Sequence, residues 1–209
     1  MEVYGEKPKL FSKKWWENYY YYYKVHTIVG VIVAIAMGYL IYSDMTATKY
    51  DLQIDYISEL GISTEQTELI EQAAADNIED VTGNEICDAF VMVIDMSPSN
   101  DMQYAQAMQV KYMTEQAYSE AFVFITSEKY MNEMSGNGVF EKASVWSGTD
   151  DDVEFISLAG CKVLEDAAIS TDGLYVAVRK LREKEIGDEK KEAEYRNGIQ
   201  FARYLIDER

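Results

Sequence analysis

The chain of 209 residues has one histidine, two cysteines and two prolines, and beyond residue 42 it is poor in positive charge. Each scarcity removes a class of function. The lone His26 sits in an apolar run, so everything after it lacks an imidazole. That excludes Ser-His-Asp and Cys-His catalysis there, and histidine metal sites with them. No spacing marks a Ser-Lys or paired-carboxylate centre either, so the sequence predicts a protein without catalytic activity. Cys87 and Cys161 match no metal or redox spacing and read either as a disulfide or as two small buried thiols. Pro8 and Pro98 are too few for a Pro-rich linker or stalk.

Charge is distributed unevenly. Residues 1–42 carry Lys7, Lys9, Lys13, Lys14 and Lys24 against Glu2, Glu6 and Glu17, a balance of +2; with a total of −18, the remainder stands at −20. So acidic a segment repels phosphate backbones, which excludes nucleic acid as a partner, and it is repelled by anionic membrane surfaces. Cationic partners and divalent cations remain compatible with it.

What the sequence does have begins with WWENYYYYYK, which precedes VHTIVGVIVAIAMGYLIYS. Residues 25–43 bear no formal charge and, as a helix, extend roughly 28 Å, close to the ~30 Å hydrocarbon thickness of a bilayer. Apolar residues occupy every side, as lipid contact requires. The lysines before the run place residues 1–24 in the cytoplasm and residues 44–209 outside, giving a single-pass cell-membrane protein with an extracytoplasmic domain. A cleaved signal peptide is the competing reading, but Met45-Thr46-Ala47 puts a bulky residue where a small one is required. Trp15, Trp16, Tyr19, Tyr20, Tyr21, Tyr22 and Tyr23 form a collar at headgroup depth with no preferred face, and Tyr39 and Tyr42 a sparser belt at the far end. Gly30, Ala34 and Gly38 recur every four residues, a spacing that lets a second helix approach.

Beyond the run, strand and helix patterns alternate. Tyr50–Ile57 carries Leu52, Ile54 and Tyr56 on one face. Ser63 followed by Gln66 is a capping-box signature. Ala89–Ile94 is apolar throughout, as a central strand is. Asn100 stands where it caps a helix with Ala105, Met108 and Tyr112 along one face. Ala121–Thr126 reads as a strand, Ser127 as the cap of a short helix ending near Met134, and SGNG (135–138) as its stop. Strands are expected near Phe155 and Lys162 and over Gly173–Leu181. A final helix from Asp188 carries Tyr195, Ile199, Ala202 and Ile206 as its apolar stripe. The fold class is therefore α/β: one transmembrane helix, then a single layered domain on a mostly parallel or mixed sheet.

The order IDYISELG, AFVMVID, AFVFITSEKYMNEMSGNGVFEKA and LYVAVRK resembles one lobe of a type II periplasmic or extracellular solute-binding protein, with Phe122 to Phe140 matching best. In those proteins such a strand and helix precede a strand that returns to the sheet. The whole also resembles small bacterial single-pass membrane proteins with a lysine- and aromatic-rich N-terminus. The resemblance covers roughly residues 50–180 and implies binding of a small ligand or of an envelope or membrane protein. It departs in size: a full binding protein closes two lobes on its ligand, and this chain supplies one, so no ligand residues carry over. An accessory or sensor subunit of a transporter or envelope complex, pairing through Gly30, Ala34 and Gly38, is the second reading. A calcium-binding module or cation-dependent enzyme is the third, with Asp150, Asp151 and Asp152 as oxygen ligands. These three lack the glycine and distant glutamate of a twelve-residue calcium loop, and adjacent acids commonly form a solvated turn. No other cofactor is implied. The many methionines fall on inward-facing elements and read as core.

Overall fold

The computed structural model describes residues 10–46, 49–99, 101–149 and 152–209, and the chain divides into two units, Met1–Thr48 and Lys49–Arg209. Lys7, Lys9 and Ala47, which bear on the orientation and cleavage readings above, lie outside the described residues.

The first unit is helix α1, Lys13–Thr46, 34 residues long. Its Tyr19–Tyr42 stretch is long and apolar enough to cross a membrane, a property that a signal sequence shares. The helix continues through the aromatic segment, so WWENYYYYY is helical too. Trp16, Tyr20, Tyr21, Tyr22 and Tyr23 are each more than half exposed. Along one side of the helix the rings pack on one another. Trp15 stacks on Tyr19 at 5.4 Å and Tyr19 on Tyr23 at 5.5 Å, the contact that i, i+4 spacing allows. The Tyr19 hydroxyl then meets Thr27 Oγ1 at 2.8 Å.

The second unit is built on five strands: β1 (Leu52–Ser58), β2 (Ala89–Asp95), β3 (Val123–Ser127), β4 (Ile156–Ser157) and β5 (Leu174–Val178). Their order is β2-β1-β3-β5-β4. β1 pairs in parallel with β2 and β3, whereas β5 runs antiparallel to both β3 and β4. The expected mixed α/β sheet is present. Helices α2 (Thr64–Ala75), α5 (Ala143–Trp146), α6 (Lys162–Asp166) and α7 (Glu189–Asp207) contribute to the core on one face, with Ile70, Trp146, Leu164 and Phe201. Helices α3 (Met102–Tyr118) and α4 (Glu128–Met134) cover the other with Tyr112, Tyr130 and Met134.

Local chemistry explains several of these elements. Ser63 Oγ accepts from Gln66 N and Gln66 Oε1 accepts from Ser63 N, the capping box that the sequence announced. Gln66 Nε2 also donates to the carbonyls of Ala167 and Ala168, tying α2 to the end of α6. The stop after α4 uses Gly136 (φ 78°) and Gly138 (φ 73°), left-handed positions that glycine adopts without a Cβ clash. Gly198 serves packing instead: a Cβ there would stand 2.9 Å from Phe122 Cβ, so its absence lets α7 lie close against the sheet.

Some expectations change. β2 is an edge strand, not a central one. Its unbroken apolarity reflects helix cover on both faces, and two side chains occupy its open edge: Val91 N donates to Glu71 Oε1 (2.8 Å) and Lys111 Nζ to Val93 O (3.0 Å). Such blocking discourages further strand addition. Asn100 lies outside the described residues, and Asp101 caps α3 by accepting from Gln103 N and Tyr104 N. Ala105 is exposed, so that helix buries Tyr112 and half-buries Met108. The segment from Lys162 is helix α6, not strand. On α7 the expected Ala202 and Ile206 are buried and Tyr195 and Ile199 half-buried, while Gly198, Phe201 and Leu205, which the sequence reading left out, widen the buried stripe.

Candidate binding sites

Open α/β sheets bind ligands outside the carboxyl ends of their strands, where successive connections diverge. Here that point lies between β1, whose chain leads on to β2, and β3 on its other side. Glu59 follows β1 and Ser127 closes β3. Ser127 Oγ donates to Glu59 Oε2 at 2.5 Å, and Lys129 Nζ stands 3.5 Å from Oε1. Ser127 holds the N-cap position of α4 as expected, but it spends its hydroxyl on Glu59 and makes no side-chain cap hydrogen bond. Lys129 also donates to the Tyr130 hydroxyl at 3.0 Å and lies 4.6 Å above that ring's centroid. Burial alone would raise the Glu59 carboxyl, but the Ser127 hydrogen bond and Lys129 outweigh it and hold the group below its usual range. A carboxylate so stabilised is a weak base, so the trio offers charge and hydrogen bonds.

At the end of β2 nearby, Asp95 accepts from Ser97 N (2.9 Å) and from the Tyr104 hydroxyl (3.2 Å). Partial burial pushes Asp95 up, and these donors hold it below the ordinary value. Gly61 lies close against the same carboxylate: a Cβ would come within 3.3 Å of Asp95 Oδ2.

A larger recess lies at the other end of β3. It is a cavity of about 780 Å³ whose lining includes Phe124, Met134, Phe140 and Arg179. Arg179 is buried at the end of β5, 3% exposed. Its Nε donates to Ala121 O (2.9 Å), and its Nη1 to Lys180 O (2.8 Å) and Glu185 Oε2 (2.9 Å). The guanidinium carbon stands 4.3 Å from the Phe122 ring centroid. Nη2 has no hydrogen-bond partner among the described residues. Glu185 also accepts from Arg182 N at 2.8 Å. Burial would raise that carboxyl, but the two arginines bring it below its usual range. Arg182 donates to Ser119 O, and Ser119 Oγ donates to Asp55 Oδ2 at 2.6 Å. Asp55 is fully buried in β1. Burial, assisted by Glu115, pushes its carboxyl up to about 6 against the opposing effects of Ser119, Gln53 and Lys111.

The sequence-derived candidates are placed as follows. Asp150 and Asp151 lie outside the described residues. Asp152 forms an exposed ion pair with Lys142 at 2.5 Å. Among the described residues no three His, Cys, Asp or Glu side chains converge as a metal site would need. Gly30, Ala34 and Gly38 are exposed on α1. Cys87 and Cys161 are free thiols, the first half-buried and the second buried. Glu59, Lys129 and the Arg179 cavity were not found by sequence reasoning. The available signal was three bases, Arg179, Lys180 and Arg182, within four residues of an acidic domain. Comparison with protein-family models, with curated proteins and with solved structures gives no match to this chain.

Proposed function

We propose that this chain is a membrane-anchored, extracytoplasmic binding or interaction protein, built like one lobe of a solute-binding protein and without catalytic activity. α1 would hold it in the lipid bilayer, with Lys13 and Lys24 beside the aromatic collar favouring a cytoplasmic N-terminus. Two features of the sheet support the lobe-like reading. β5 returns antiparallel beside β3, and Phe140, at the end of the Phe122–Phe140 segment, bridges to Arg179 just past β5. The observation that carries the binding role is the Glu59, Ser127 and Lys129 trio at the carboxyl ends of β1 and β3. A single lobe leaves that edge open, so an envelope or membrane protein supplies the opposing wall, directly or over a small solute.

Photo-crosslinking in intact cells tests this. A benzophenone side chain at Leu60, which is 56% exposed beside the trio, should yield an adduct of discrete mass that Lys129→Glu removes. No adduct, or the same adducts from a probe at Met113 on α3, would count against the reading.

A further inference from the structure

We infer that the cavity beside Arg179 is a second binding site, separate from the Glu59 edge, for a singly charged anion with an apolar body, such as an aryl-substituted carboxylate. Its lining combines two chemistries. Phe124, Met134 and Phe140 are each at most 3% exposed and form an apolar floor, onto which a ring or hydrocarbon segment transfers favourably from water. Arg179, also in the lining, is held in place by Ala121 O, Lys180 O, Glu185 and the Phe122 ring, with Nη2 as its unspent donor. A buried donor without an acceptor is unfavourable. A guanidinium already fixed by its other bonds loses little freedom on gaining one more. A carboxylate oxygen supplies the missing acceptor; an ammonium group is repelled.

Lys180 strengthens the preference. It lines the cavity, its Nζ donates to Gly138 O at 3.3 Å, and it makes no ion pair with a carboxylate among the described residues. Glu115 and Glu183 also line the recess. They oppose a second negative charge on the ligand, which selects monoanions over dianions and phosphate esters. The −20 balance beyond residue 42 gives no long-range attraction for anions, so affinity must come from the apolar body once it is seated. The site stands apart from the Glu59 trio: Ser127 ends β3, and Phe124, the strand residue in the cavity lining, lies three residues before it, so roughly 10 Å of strand intervenes.

The test uses the full chain in lipid nanodiscs with 4-phenylbutyrate as the probe, read by saturation-transfer NMR and titration calorimetry. 4-Phenylbutylamine and 4-phenylbutanol serve as charge controls. The carboxylate should bind about tenfold more tightly than either control. Lys180→Gln should weaken it several-fold. Ala117→Trp, which places a ring into the lining from an exposed position on α3, should abolish it while the melting curve stays intact. Glu59→Gln should leave it unchanged, so failure here is distinct from failure at the Glu59 edge. No binding of the carboxylate, equal binding of the amine, undiminished binding to Ala117→Trp, or loss in Glu59→Gln would each overturn the inference.

Discussion

Replacing Asp55 by asparagine should change how stability depends on pH, and the structure gives both sign and size. Asp55 is fully buried in β1, and burial is the main reason that its carboxyl is pushed up to about 6 from an ordinary 3.8. Its charged form is disfavoured when folded, although Ser119 at 2.6 Å and Gln53 at 3.3 Å donate to it. Well below pH 3.8 the carboxyl is protonated in folded and unfolded chains alike and costs nothing. As pH rises towards 6, the unfolded chain releases the proton first, and folding then requires its recapture or the burial of a charge. The gap between 3.8 and about 6 corresponds to roughly 3 kcal/mol lost from the wild type over that interval. The amide introduced by Asp55→Asn keeps an oxygen acceptor and cannot ionise, so the variant escapes the loss. Urea denaturation of the full-length protein in nonionic detergent, followed by the fluorescence of the fully buried Trp146, measures both proteins from about pH 4 to about pH 7.5. The difference in unfolding free energy should move in the variant's favour by about 2.5 kcal/mol across that range, the first part of the loss having occurred below pH 4. A difference that stays constant with pH would refute the assignment of Asp55 as a carboxyl pushed up by burial.

Two further substitutions probe packing and polar satisfaction. Gly198→Ala should lower stability by about 1–2 kcal/mol despite alanine's roughly 1 kcal/mol advantage in helices, because the added Cβ meets Phe122 Cβ at 2.9 Å; a higher urea midpoint would show that α7 has room to shift. Asp51→Ala should cost about 3–5 kcal/mol, since the buried carboxylate accepts from Val81 N and Thr82 N at 2.7 Å and from Asp88 N at 2.8 Å. Amide exchange should localise the damage to the 79–88 loop, and protection there equal to wild type would contradict the role.

The sequence disclosed elements whose signal is local. Ser63 and Gln66 are three residues apart, so the capping box and the start of α2 were readable directly. Leu52, Ile54 and Tyr56 revealed one face of β1 by alternation. The other face was opaque, because Asp55 looks like a solvent-facing acid until Ser119, 64 residues away, is brought onto it. The apolar run of β2 showed that the strand is covered without showing that it lies at the edge; Glu71 and Lys111 cap that edge from separate helices. Ser127 carried a true local signal with a different outcome, since Glu59 offered its hydroxyl a charged acceptor from β1's end. The Arg179 cavity draws on segments from Glu115 to Glu183, and no periodicity of one segment records such convergence.

That the protein is anchored with its acidic domain facing outward is tested most directly by protease accessibility. Sealed spheroplasts expressing the full chain are treated with an external protease, and the membrane pellet is analysed by intact mass. An outward-facing domain predicts loss of residues 49–209 and survival of a membrane-embedded fragment containing the aromatic segment and Tyr19–Tyr42. Full-length protein resistant until the cells are lysed, or a released domain lacking the N-terminal helix before any protease is added, would contradict it.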